Sequence, residues 1–137
     1  VLKKIHLQVN TDLTASGQVL SWFEQLNHPP IRKEIWWQCQ TLLQEGFANI
    51  VEHAHKDLPP DTPIDIEAVR FDEHIEIRIY SYGPDFDLEA QLAQTPKLED
   101  NFEGRGRGLK IISLLADYFT YKSADERRNC LLMSKQY

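Results

Sequence analysis

The chain has 137 residues, 42% of them hydrophobic and 26% charged, which places it among soluble globular proteins and leaves no room for a second domain of normal size. A net charge of −6, from 15 Lys and Arg against 21 Asp and Glu, disfavours nucleic acid as a direct partner unless the basic residues gather on one face. No apolar run approaches the roughly 20 residues that span a bilayer, and residues 1–10 lack the apolar segment of a signal peptide, so no membrane partner is expected and the default compartment is the cytoplasm.

Residues 3–9 alternate Ile5, Leu7 and Val9 with polar neighbours, the period of a half-buried strand. Asn10 or Thr11 is then placed to cap a helix running to about Leu26, with Val19, Phe23 and Leu26 on its apolar side. After the hinge His28-Pro29-Pro30, the spacing from Ile31 to about His55 predicts a helix of about 37 Å, started by Pro30. Its apolar stripe is Trp36, Cys39, Leu43, Phe47, Ile50 and Ala54. This stripe takes Trp36 into the core and leaves Trp37 turned away from it.

Beyond a second hinge at Leu58-Pro59-Pro60, residues 64–69 and 75–80 alternate, and the short Phe71-Asp72-Glu73 connection predicts an antiparallel hairpin. Gly83-Pro84 stops the second strand, a weakly helical piece follows at 88–92, and residues 95–108 read as an irregular polar loop. Helical spacing resumes over 109–116, and residues 118–122 with 129–135 predict a closing hairpin around 124–128. The order of elements predicts an α+β fold: a two-layer sandwich of a mostly antiparallel sheet with helices on one face. Cys39 and Cys130 follow no metal or redox spacing and fall in unlike elements, so both are expected as thiols rather than a bridge.

On the long helix Glu45, Asn49 and His53 recur every four residues, with Glu52 beside them, on an arc away from the apolar stripe. Glu is suited to taking a proton from a hydroxyl, and a neutral Asn oxygen to holding a hard cation. Taken alone, the arc reads first as the solvated face of an amphipathic helix. A second feature is Gly104-Arg105-Gly106-Arg107-Gly108, directly before an apolar helix. Glycines there let backbone N–H groups approach an anion, the helix start favours negative charge, and Arg105 or Arg107 can add a charged contact. His53 and His55, two apart on a helix, point in different directions and do not suggest a metal pair.

Gln44-Glu45-Gly46-Phe47-Ala48-Asn49-Ile50-Val51-Glu52-His53-Ala54 resembles the N box of the anti-sigma-factor serine kinases, members of the GHKL superfamily with the Bergerat ATP-binding fold. Tyr82-Gly83-Pro84-Asp85-Phe86-Asp87 is similar to the segment after that family's adenine-reading aspartate, and Gly106-Arg107-Gly108-Leu109-Lys110-Ile111-Ile112 to its lid-closing glycine motif. The resemblance spans nearly the whole chain. It implies a protein kinase using ATP and Mg²⁺, in which Asn49 holds the metal, Glu45 activates the attacking serine hydroxyl, and Gly106 and Gly108 shape the phosphate loop. His53, Ser81, Gly83, Gly104, Arg105, Arg107 and Leu109 would complete the ATP site. The implied substrate is a serine on an anti-anti-sigma partner of the STAS type, which competes with a sigma factor for this protein, and a homodimer accords with the family. The loop at 95–108 would order on nucleotide binding.

One position departs from the family. Ser81 stands where the adenine-reading aspartate is expected, and an uncharged oxygen makes the weaker hydrogen bond. The alternative is therefore a partner-switching adaptor of the same fold that binds nucleotide weakly or performs no catalysis. A detached ATP-binding domain of a histidine kinase fits less well, because the chain has no room for a dimerisation helix pair.

Overall fold

Strand β1 (Lys3–Asn10) pairs antiparallel with β2 (Pro63–Arg70), matching Ile5 to Ala68, Leu7 to Ile66 and Val9 to Ile64. The apolar positions of both strands thus fall on one face, as the period of two requires. A computed structural model describes residues 1–82 and 107–137 of the chain. Within them β2 turns back through Phe71–Glu73 into β3 (His74–Ser81), and β4 (Tyr118–Ser123) and β5 (Asn129–Gln136) form a second hairpin. The sheet order is β1-β2-β3-β5-β4, antiparallel throughout, so the last strand returns to the interior beside β3. This is the expected α+β sandwich.

The acidic pairs Asp72-Glu73 and Asp125-Glu126 both lie in the turns of the two hairpins. The Asp125 carboxylate accepts the Arg127 and Arg128 backbone N–H groups at 2.8 Å each, which holds its pKa below the ordinary carboxylate value.

The helices differ from expectation at their ends. Asn10 is the last residue of β1 and Thr11 is buried; neither caps the next helix. Asp12 does so, accepting the Thr14 N–H at 2.9 Å to open a 3₁₀ turn (Leu13–Ala15) that leads into α1 (Ser16–Phe23) and a second 3₁₀ turn (Glu24–Leu26). Helix α2 covers Lys33–Asn49, beginning three residues past Pro30. It continues as a π turn over Ile50–Ala54, in which the His55 N–H reaches the Ile50 carbonyl at 2.8 Å. The last described helix, α3, is Arg107–Leu115, so Arg107 and Gly108 form its first turn instead of preceding it.

Trp36, Cys39, Leu43, Phe47, Ile50 and Ala54 are all buried, as their spacing predicts, together with Leu42. They pack on the inward residues of the sheet, Ile64, Ile66, Ala68, Ile75, Ile77, Ile79, Leu131 and Met133. Phe23 and Trp36 stack with centroids 4.6 Å apart and join α1 to α2. At Gly46 α2 lies close on the sheet: a Cβ there would lie 2.7 Å from Met133 Cε and 3.0 Å from Ile79 Cδ1. Burial pushes the Cys39 thiol up to about 12, leaving it an inert core group; Cys130 is also free, and its pKa is raised by burial. Trp37 stays exposed.

The opposite face of the sheet carries Lys4, His6, Asp65, Glu67, Glu76 and Arg78, cross-linked by exposed or half-exposed ion pairs. Arg128 lies 4.9 Å from the Tyr80 ring centroid and pairs with Asp65 at 3.3 Å, beside a polar hollow of about 660 Å³. Such pairs contribute about 0–1 kcal/mol each and keep this face wet. Among the described residues no helix is long and apolar enough to cross a membrane.

Candidate functional site

The candidate residues of α2 converge on one end of the sheet. Near the helix start, Cys39 feels the charges of Lys135 and Asp117, and Lys135 pairs with Ile75 across β5 and β3. Two turns later Gly46 sits over Met133 and Ile79. Helix and β3 therefore run in the same sense, and Asn49, about 4.5 Å further along the helix, reaches the level at which β3 ends in Ser81. Helix α3 lies against α2 and ends with its Leu115 carbonyl accepting from Lys135 Nζ at 2.9 Å. Its first turn consequently lies toward Asn49, and the N–H groups of a helix start favour an anion.

Asn49 is not on a solvated face. It is 4% exposed, and its Nδ2 finds no hydrogen-bond partner among the described residues. The sequence reading set it on an arc away from the apolar stripe, yet it is buried; α3 packs on the same helix. Leaving a buried amide end unmet costs about 1–3 kcal/mol. A carboxamide presents a donor on one side and an acceptor on the other, and which faces outward is decided by its partner. This group fits a magnesium ion with its phosphates: the oxygen can hold the cation, or the NH₂ can donate to a phosphate oxygen. Glu45, one turn earlier, is half-buried, as is His53, while Glu52 is exposed.

Ser81 is fully buried on the inward face of β3, and its Oγ lies 3.3 Å from the Tyr121 hydroxyl. Across the ladder its partner is Asn129, also buried. A serine hydroxyl has one hydrogen and two lone pairs, so whichever way the Tyr121 bond runs, at least one acceptor position on Ser81 is left by it. Leu109 is buried in α3. Gly83, Gly104, Arg105 and Gly106 lie outside the described residues, as do Asp85, Asp87, the 88–92 piece and nearly all of the 95–108 loop.

The sequence reading missed His55. It is 1% exposed and forms the middle of a chain of hydrogen bonds that crosses the fold. The Thr11 hydroxyl donates to the Thr62 carbonyl at 2.7 Å, and its oxygen lies 2.8 Å from His55 Nδ1. Tyr82 N–H donates to His55 Nε2 at 2.8 Å. Since the only hydroxyl hydrogen of Thr11 is committed to Thr62, His55 must donate from Nδ1 and accept at Nε2, which defines a neutral tautomer. No local signal announces this. On a regular helix His55 would stand about 140° from Ile50, away from the core, and only the widened π turn brings it inward.

Burial pushes His55 below its ordinary pKa of 6.5. Below that pH the unfolded chain takes up a proton that the native state refuses, so stability is complete above 6.5 and falls as pH drops toward the native pKa. The urea midpoint of the wild type should therefore decline on mild acidification more steeply than that of His55→Gln. Equal slopes would show that another group sets the acid response.

The profile of the histidine kinase-like ATPase domain family matches residues 9–135. In fold, the chain is similar to one in the crystal structure of the SiaB-SiaC complex from Pseudomonas aeruginosa, with a TM-score of 0.59 and 12% sequence identity over 97% of this chain and 89% of that one. No curated protein matches it. With the match running from the end of β1 into β5, over most of the α+β sandwich, the chain belongs to the histidine kinase-like ATPase domain family.

Proposed function

We propose that this protein binds ATP with Mg²⁺ at the Asn49 end of the sheet and works as a partner-switching serine kinase. The observation that carries the reading is the buried Asn49 carboxamide, with one end unmet among the described residues, a single helical turn beyond Glu45. Asn49 would hold the metal, which when bound neutralises charge on the phosphate oxygens. Glu45 would take the proton of a serine hydroxyl as its oxygen forms a bond to the γ-phosphorus and the bond from that phosphorus to the bridging oxygen breaks, releasing ADP. The first turn of α3 would face the phosphates, with the resemblance adding Gly83, Gly104, Arg105, Gly106, Arg107 and Gly108 to the cradle and His53 to the rim.

The serine would belong to an anti-anti-sigma protein of the STAS type, with a sigma factor as the competing partner. Similarity in fold to a chain from a complex of two proteins supports a protein partner. One observation favours a second reading, a non-catalytic adaptor. The position that would read adenine is an uncharged serine already engaged with Tyr121, which weakens the adenine contact.

Calorimetric titration with ATP and ADP, with and without Mg²⁺, separates the two. The kinase reading expects Mg²⁺-dependent binding that Asn49→Ala weakens about 10–100-fold, as befits the loss of a contact to a charged group. Absence of binding by folded wild-type protein would leave the adaptor.

A further inference from the structure

The chain of hydrogen bonds through His55 ends at the amide of the residue that follows β3. Three parts of the fold meet there: Thr11 after β1, the π turn after α2, and Tyr82 next to Ser81. The His55 and Tyr82 rings also lie face to face, with centroids 6.3 Å apart. Thr11 is itself held from two sides, its N–H by the Pro60 carbonyl at 3.0 Å and its hydroxyl by Thr62. The imidazole is thus fixed in direction and in tautomer before it meets Tyr82. A π turn is uncommon, and here it has a definite consequence: without the extra residue in the turn, His55 would not face inward at all.

We propose that His55 is a positioning residue for nucleotide recognition, its neutral imidazole tethering the Tyr82 amide so that the end of β3 holds Ser81 in place for the ligand. This rests on the nucleotide-binding reading above and adds a residue to it. The tether acts through Tyr82 and requires no contact between His55 and the nucleotide. It matters most because Ser81 is a short, uncharged reader. A serine oxygen makes one modest hydrogen bond, and a displacement of the strand end by a fraction of an ångström forfeits it.

Two substitutions separate tethering from packing. The amide oxygen of Gln extends to the place of Nε2 and can accept from Tyr82, whereas that of Asn reaches only to the place of Nδ1. In the full chain, hydrogen exchange at the Tyr82 amide should speed up about five- to tenfold in His55→Asn, the equivalent of one neutral hydrogen bond, and stay near wild type in His55→Gln. The Kd for Mg²⁺-ATP should rise by a similar factor in His55→Asn and recover in His55→Gln. Nitrogen-15 shifts of the wild-type ring should report a proton on Nδ1.

Unchanged Tyr82 exchange in a folded His55→Asn protein, or a proton on Nε2, would overturn the tether. Faster exchange with unchanged Kd would overturn its role in recognition. If wild-type protein bound no ATP while His55→Asn still released the Tyr82 amide, the tether would stand and the nucleotide reading alone would fall.

Discussion

Glu45→Gln should slow turnover of Mg²⁺-ATP by about 10²–10⁴-fold, the usual contribution of a positioned general base. Its affinity for ATP should change little, because the substitution keeps the shape of the side chain and leaves Asn49 in place. Release of ADP under saturating Mg²⁺-ATP measures this without an identified protein substrate, since water can take the place of the serine hydroxyl. A parallel loss of binding and turnover would mean that Glu45 serves the nucleotide or the metal and not the proton transfer. Full turnover in the variant would remove Glu45 from the chemistry altogether. The placement behind this expectation is that of α2 itself, which carries Glu45 and Asn49 one turn apart near its C-terminal end.

The second large effect concerns stability. Arg70, at the end of β2, is 6% exposed and has no carboxylate among its described hydrogen-bond partners. Its Nη2 donates to the Pro29 carbonyl at 2.8 Å, its Nε to the Tyr137 hydroxyl at 3.2 Å, and its Nη1 to the Leu26 carbonyl at a longer 3.4 Å. The guanidinium also lies 5.3 Å from the Tyr137 ring centroid, and the Tyr137 hydroxyl in turn donates to the Phe71 carbonyl. One fork thereby joins the connection between α1 and α2, the β2–β3 turn and the residue after β5.

Arg70→Met keeps most of the buried stem and removes the charged donors. Hydrogen bonds from a charged group contribute about 1.5–3 kcal/mol each, so loss of the two shorter ones should cost about 3–6 kcal/mol. Against the roughly 5–15 kcal/mol that holds a typical domain together, this would bring the chain near its unfolding threshold. Urea unfolding checks it: the midpoint should drop sharply with an unchanged slope. Arg70→Lys should recover only part, since an ammonium cannot reach three divergent acceptors with a planar fork. A loss under about 1 kcal/mol in Arg70→Met would show that the fork replaces water contacts without net gain.

Much of the architecture is legible from periodicity. The alternation of Ile64, Ile66 and Ala68, and of Ile75, Ile77 and Ile79, places all six on the inner face because successive strand residues must point opposite ways. The stripe of α2 is buried for the equivalent helical reason. What misled the reading of the same helix was its far end. A polar arc is solvated only where nothing packs on its helix, and α3, more than fifty residues away in the chain, packs on α2. Asp12 was passed over as a cap because Asn10 and Thr11 precede it with equally suitable side chains. Asn10 is drawn into the ladder opposite Pro63 and Thr11 into the bond with His55, which leaves the role to Asp12.

Residue type and local spacing suffice for the alternating strands, the apolar stripe of the long helix, the two acidic hairpin turns, and the order of Glu45, Asn49 and the glycine-rich run on which the family resemblance rests. These depend on residue type and on spacing within a few positions, where backbone geometry alone relates one side chain to the next. Tertiary structure decided which polar groups are buried and with whom. Asn49 is buried although its spacing sets it apart from the apolar stripe, His55 owes its inward aim to a π turn and its tautomer to Thr11, and Arg70 its partners to separate segments of chain. For His55 and Arg70 the groups that meet their hydrogen-bonding capacity arrive from distant parts of the chain once the layers have packed, whereas the Asn49 Nδ2 meets none among the described residues.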